Sequence, residues 1–172
     1  MGVLKNYFFH LLLAGIAGFI LGFSIRLAWE GNQFIIAQWE DEPMVVICPD
    51  SRVTPLRVQR AIDWWGIREY KISHYHYDES NSICGVSTYL EGIIFIRATG
   101  DTGHDFYAIT SRLAFKEKMI SASILLPNRH RDMPRLLEHE LGHALGLGHV
   151  DVVGHMMHPI HEYGGEKFWI PD

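Results

Sequence analysis

Residues 7–25, YFFHLLLAGIAGFILGFSI, carry no formal charge apart from any proton held by His10, and no other stretch limits the chain as strongly. At about 1.5 Å per residue, a helix over this run covers about 28 Å, the thickness of a bilayer's hydrocarbon core. Lys5 precedes it and Arg26 follows, while Tyr7 and Trp29 stand where interfacial aromatics anchor a span. A cleaved signal peptide would have a shorter apolar run ending at a small-x-small site, whereas Gly15 and Ala17 lie in mid-run. Residues 1–29 are therefore expected to be an uncleaved, single-pass anchor. Lys5 and the amino terminus outweigh Arg26, which Glu30 partly offsets, so the positive-inside rule places the C-terminal part on the non-cytoplasmic side. Ala14, Gly18 and Gly22 recur every fourth residue and leave one helix face small enough for a transmembrane dimer, a permissive pattern rather than a diagnostic one.

The remainder of the 172-residue chain has room for one domain. All 20 acidic residues lie there, with every Lys and Arg of the 15 except Lys5 and Arg26. Such an acidic body suits neither nucleic-acid binding nor adhesion to anionic lipid. Residues 30–42 change composition and end at Pro43, which reads as a juxtamembrane tether, leaving 43–172 as the folded domain.

Within 43–172, the run 44–48 (MVVIC) reads as a strand stopped by Pro49. Thr54 and Pro55 supply a helix cap and first turn, and Val58, Ala61, Ile62 and Trp65 recur at helical spacing up to Gly66. Residues 71–77, 92–97, 107–115 and 119–126 read as strands, the last two joined by Lys116, Glu117 and Lys118. Asp132 and Pro134 then predict the start of a second helix. The order is β-α-β-β-β-β-α, an α+β arrangement expected to form a mostly consecutive sheet with two long helices packed on it.

The second helix carries His139, Glu140 and His143 in the pattern H-E-x-x-H. Residues four apart share a helix face, so both imidazoles reach one ion with Glu140 beside them. Leu137, Leu141, Ala144 and Leu145 fall on the opposite side as the core contact. Gly146 permits a sharp turn that brings His149 back as a third ligand. Three neutral imidazoles around one Zn²⁺ leave a fourth position for water, the signature of a catalytic rather than a closed structural site.

The run from His139 to His149 resembles the extended zinc signature of the metzincin metalloproteases, and most closely that of the matrixin branch. Gly154, Met157 and Pro159 hold the places of that branch's Gly, Met-turn Met and following Pro. The resemblance implies a twisted, mostly parallel sheet of about five strands with two long helices, a Met-turn and a C-terminal segment. It also implies a zinc endopeptidase with one catalytic ion, Glu140 as general base, and a protein or peptide substrate paired to the exposed sheet edge at 107–115. Val150 stands where matrixins carry Ser or Thr, and Pro159-Ile160-His161 replaces their Pro-x-Tyr pocket wall. Pro159, His158 and His161 are the candidate pocket residues, either His a candidate contact to the reacting carbonyl or a bystander. The partners of His104 and Asp105 needed for a second, structural zinc are missing from the sequence, so none is expected; the inhibitory Cys switch is missing too, Cys48-Pro49-Asp50 being a superficial echo.

Three readings stay open on sequence alone. His74 and His76 share a strand face and form either a minor metal site or ordinary surface histidines. Cys48 and Cys84 form either one disulfide or two buried thiols. The whole domain, finally, is either a protease or a membrane-tethered, zinc-stabilised binding module; Glu140 favours the former, because a structural site needs no such carboxylate.

Overall fold

A computed structural model describes residues 34–99 and 106–171 of the chain. The expected membrane span at 7–25, with Ala14, Gly18 and Gly22, lies outside these residues, as do His104 and Asp105. Among the described residues no helix is long and apolar enough to cross a membrane.

The five apolar segments become five strands: β1 (Met44–Ile47), β2 (Tyr75–Tyr77), β3 (Ile93–Thr99), β4 (Ile109–Phe115) and β5 (Lys118–Pro127). They form one sheet in the order β2-β1-β3-β5-β4, with only β4 antiparallel to its neighbour; the expected mostly consecutive order holds for β1–β2 and β4–β5 alone, because parallel neighbours need crossover connections. Parallel strands covered on both faces need continuous apolar runs. Accordingly Val45, Val46 and Ile47 of β1 and Ile94, Phe95 and Ile96 of β3 are fully buried. The edge position expected for 107–115 is where β4 lies. Lys116 and Glu117 both take positive φ (49° and 66°) and close the β4–β5 hairpin as a two-residue turn, so Lys118 joins β5 instead of the loop. The strand expected at 71–77 shortens to its last three residues, because 71–74 meet β1 mainly through the Ser73 N–H to Pro43 and His74 carbonyl to Val45 bonds.

Helix α1 (Pro55–Gly66) starts as the sequence predicts, with Thr54 Oγ1 accepting from Arg57 N. Its Val58, Ala61 and Trp65 are buried. Helix α2 (Leu136–Ala144) starts later than Asp132 and Pro134 predict. Residues 127–133 instead make successive turns, His130 N to Pro127 O and Met133 N to His130 O (both 2.9 Å). Arg135 then adopts a left-handed backbone (φ 64°), which stops any helix propagating through it, and its carbonyl accepts the first helical bond from His139 N (2.9 Å). The core face of α2 is the expected one: Leu137, Leu141, Ala144 and Leu145 are all buried. The helices are clamped by Arg57, whose guanidinium donates twice to Glu138 (2.5 Å each), and by Trp65 Nε1, which donates to the Glu138 carbonyl (2.8 Å). Phe168, from the C-terminal segment, closes the aromatic cluster of Trp64, Trp65 and Tyr70.

Two features revise details of the sequence reading. Cys48 and Cys84 are joined in a disulfide under the far face of the sheet, beside Val46 and Phe95. Residues 34–39 of the expected tether are built into the domain: Ile36 N donates to Gly146 O and Gly148 N to Phe34 O (2.8 and 2.5 Å). Trp39 Nε1 caps the Ala144 carbonyl (2.9 Å), satisfying an orphan acceptor at the end of α2.

Candidate active site

Helix α2 presents His139, Glu140 and His143 towards β4 and the Met-turn, while its Leu residues enter the core. The turn after α2 depends on Gly146, whose φ of 97° and contact with the Ala37 carbonyl leave no room for a side chain. The chain then returns so that ring nitrogens of His139, His143 and His149 lie within 4.8 Å of one another. His139 Nδ1–H donates to Met156 O and His143 Nδ1–H to Leu147 O, both at 2.8 Å. Those bonds fix the tautomer and leave each Nε2 lone pair free to bind an ion. The His143 and His149 Nε2 atoms stand 3.1 Å apart. Two imidazoles on one tetrahedral zinc would be about 3.3 Å apart, given bonds of about 2.0–2.1 Å. The residues present therefore fit a zinc ion. Burial lowers the pKa of His139 to about 4 and of His143 to about 3, and lowers that of His149, so all three imidazoles are neutral near pH 7. Neutral rings are what a metal needs.

Glu140 is 6% exposed, and burial raises its pKa to about 7, opposed by a hydrogen bond from Thr110. A divalent cation beside the carboxyl pushes the other way and favours the ionised form. Thr110 Oγ1 donates to Glu140 Oε2 at 2.6 Å, which leaves Oε1 open.

Met157 is fully buried directly beneath Gly142 and Trp65, at the place of the expected Met-turn. Val150 N donates to Met157 O (2.8 Å), tying the His149 loop to that turn. His158 is 2% exposed and engaged at both nitrogens: Ile160 N donates to Nδ1 (3.0 Å) and Nε2 faces Asp151 Oδ1 (3.3 Å). His161 Nε2 donates to Pro134 O (2.9 Å). His158 thus holds the chain around Pro159 with both nitrogens, whereas His161 ties it to the segment before α2 through Nε2. His74 and His76 join no cluster of metal-ligating groups among the described residues.

Three contributors were not visible in the sequence. His155, fully buried, accepts from Met157 N (3.0 Å) and donates to Trp169 O (3.0 Å), pinning the C-terminal segment to the Met-turn. Thr110 and Arg112 lie two apart on β4 and so on one face, which is turned to α2: Thr110 reaches Glu140 and Arg112 Nη1 reaches Leu147 O (3.2 Å). Their i, i+2 spacing was legible, but which face meets the helix depends on sheet order.

No curated protein matches the chain. The matrixin family profile, however, matches residues 57–171, more than half of the sequence and the whole of the site just described. The chain belongs to the matrixin family.

Proposed function

We propose that this protein is a membrane-anchored zinc endopeptidase. A matrixin domain carries zinc metalloprotease function in general. The observation that carries the reading to these residues is the convergence of three neutral imidazoles within 4.8 Å, with Glu140 buried on the same helix. His139, His143 and His149 would hold one zinc ion. When bound, zinc supplies a Lewis acid that acidifies water and polarises a carbonyl. Met156 O and Leu147 O orient two of the rings, and Met157 supports the helix from below. Thr110 holds Oε2 of Glu140, so Oε1 takes the proton from the attacking water and passes it to the leaving amine. No covalent intermediate with the chain is required.

The substrate would be an extended peptide that adds to β4 by main-chain hydrogen bonds. Support comes from the topology: β4 is an edge, and its Thr110 touches the base, so a peptide on that edge runs past Glu140. Anchoring is assigned to residues 7–25, with the catalytic domain on the non-cytoplasmic side. The Cys48–Cys84 disulfide supports that side, because such bonds persist in oxidising compartments.

The test is proteolysis of an unstructured protein by the full chain in detergent. The expected result is one zinc per chain, activity abolished by chelation and restored by zinc, and loss of both metal and activity in His143→Ala. Retention of full activity after zinc is removed overturns the assignment.

A further inference from the structure

We infer that Arg112 is a carboxylate-binding subsite that selects substrates with an acidic residue close to the scissile bond. The inference rests on the endopeptidase reading above and deepens it.

Arg112 lies on the edge strand two residues beyond Thr110, about 7 Å along it, and shares the face that looks onto α2. Thr110 marks the reacting centre by its bond to Glu140. A peptide lying along β4 therefore passes Arg112 within about two residues of the bond to be cut. The guanidinium is half-buried and makes one hydrogen bond, to Leu147 O. An arginine has five N–H donors in a planar fork, so most of this one's donors remain available.

Its electrostatic situation differs from that of Arg57, Arg68 and Arg97, three other partly buried arginines. Arg57 pairs with Glu138, Arg97 has Asp50 and Asp78 nearby, and Arg68 has Glu166. Among the described residues no carboxylate forms an ion pair with Arg112. Its neighbour towards the histidine trio is neutral His143, with which it shares the Leu147 carbonyl. A half-buried cation without a counter-ion is costly, and an ion bound by the histidines would add further positive charge nearby. In a domain that is acidic overall, Arg112 makes a local cationic site, and the carboxyl of Glu140 is already engaged by Thr110 on the same strand face. A substrate carboxylate meets that need: it accepts two parallel N–H bonds from a guanidinium and neutralises it.

Arg112 also has a second plausible effect that the test must separate. Leu147 O accepts from both Arg112 Nη1 and His143 Nδ1, so the arginine braces a carbonyl that orients a ligand. A brace would alter turnover of every substrate by one common factor, whereas a carboxylate site alters the ratio between substrates.

The experiment uses the full, zinc-loaded chain in detergent and short unstructured peptides that differ by a single Glu or Gln, placed at each of three positions on either side of the scissile bond. The expected result is one position at which Glu raises kcat/KM about 10-fold or more over Gln, the size of a charge-assisted hydrogen bond. Arg112→Gln brings that ratio to about one, Arg112→Lys keeps part of it, and Arg112→Glu turns the preference towards Lys. Affinity of the same peptides for zinc-loaded Glu140→Ala, by fluorescence anisotropy, repeats the comparison without turnover. The inference is overturned if no position favours Glu, if the ratio survives in Arg112→Gln, or if that variant slows Glu and Gln peptides equally. If no peptide is cut but Glu peptides bind in an Arg112-dependent way, the endopeptidase reading falls and the carboxylate site stands.

Discussion

Single residues fix local geometry, and two of them, one in the zinc-signature helix and one in the loop before Cys84, make direct predictions. Gly142 sits inside the zinc-signature helix with Met157 Sδ and Trp65 packed where its side chain would be. Gly142→Ala, ordinarily a helix-favouring change, is therefore expected to cost about 1–3 kcal/mol through overpacking, read as a lower urea midpoint with unchanged m. Stabilisation by this substitution would show that Met157 does not support the helix from below. Asp78 is the second case. It is 1% exposed and accepts backbone N–H bonds from Ser82, Ile83 and Cys84 (2.8–3.0 Å), which pull its pKa from 3.8 to about 2, the Cys84 bond contributing most. A carboxyl with a depressed folded pKa stabilises the fold above the unfolded value, and that contribution disappears as pH falls through the folded value. The urea midpoint should thus fall between about pH 3.8 and 2, and Asp78→Asn should be less stable at neutral pH with a flatter acid limb. Parallel acid limbs for the two proteins would remove Asp78 from the account. The convergence of His139, His143 and His149 and the place of Glu140 beside them were legible in the sequence, because helix periodicity and one glycine place them locally. It did not show Thr110, Arg112 or His155, whose partners are 30, 35 and 14 residues away and are brought near by sheet order and the C-terminal segment.

At the scale of elements, the strands and both helices follow from apolar patterning and the edge place of β4 from the family resemblance, and the differences arise where distant chain competes with local signals. Asp132 and Pro134 are good helix-start residues, yet turns at 127–133 and the left-handed Arg135 delay α2 to Leu136. Residues 30–42 look like a tether because their composition is mixed. Nothing local reveals that Ile35 pairs with Leu147, or that Ala37 packs over Gly146. That segment touches the turn leading to His149, so its removal has consequences at the site. A chain beginning at residue 34 is expected to match the intact domain in stability and zinc affinity. One beginning at 43 should lose at least about 2 kcal/mol, given the apolar surface of Ile35, Ala37 and Trp39 that it no longer buries, and should bind zinc more weakly in chelator competition. Equal zinc affinity for the two would show that residues 34–39 decorate the fold without supporting the His149 loop.

At the scale of the whole molecule, an acidic domain brings a neutral histidine trio, a buried carboxyl and a guanidinium without an ion-pair partner together beside the edge strand β4. The parts depend on one another: α1 and the Met-turn hold α2, β4 holds Glu140 through Thr110, and the segment at 34–39 packs on the turn leading to His149. Zinc bound to this arrangement adds to folding stability by mass action, so chelation should lower Tm as well as stop turnover. The central claim is that Glu140 moves the proton in a zinc-dependent peptide hydrolysis. It is tested most directly by comparing cleavage of an unstructured protein by the full chain and by Glu140→Ala at matched zinc content. The account predicts that both proteins hold one zinc and that kcat/KM falls about 10²–10⁴-fold in the variant, the usual worth of a general base. Equal cleavage by the two zinc-loaded proteins would contradict it.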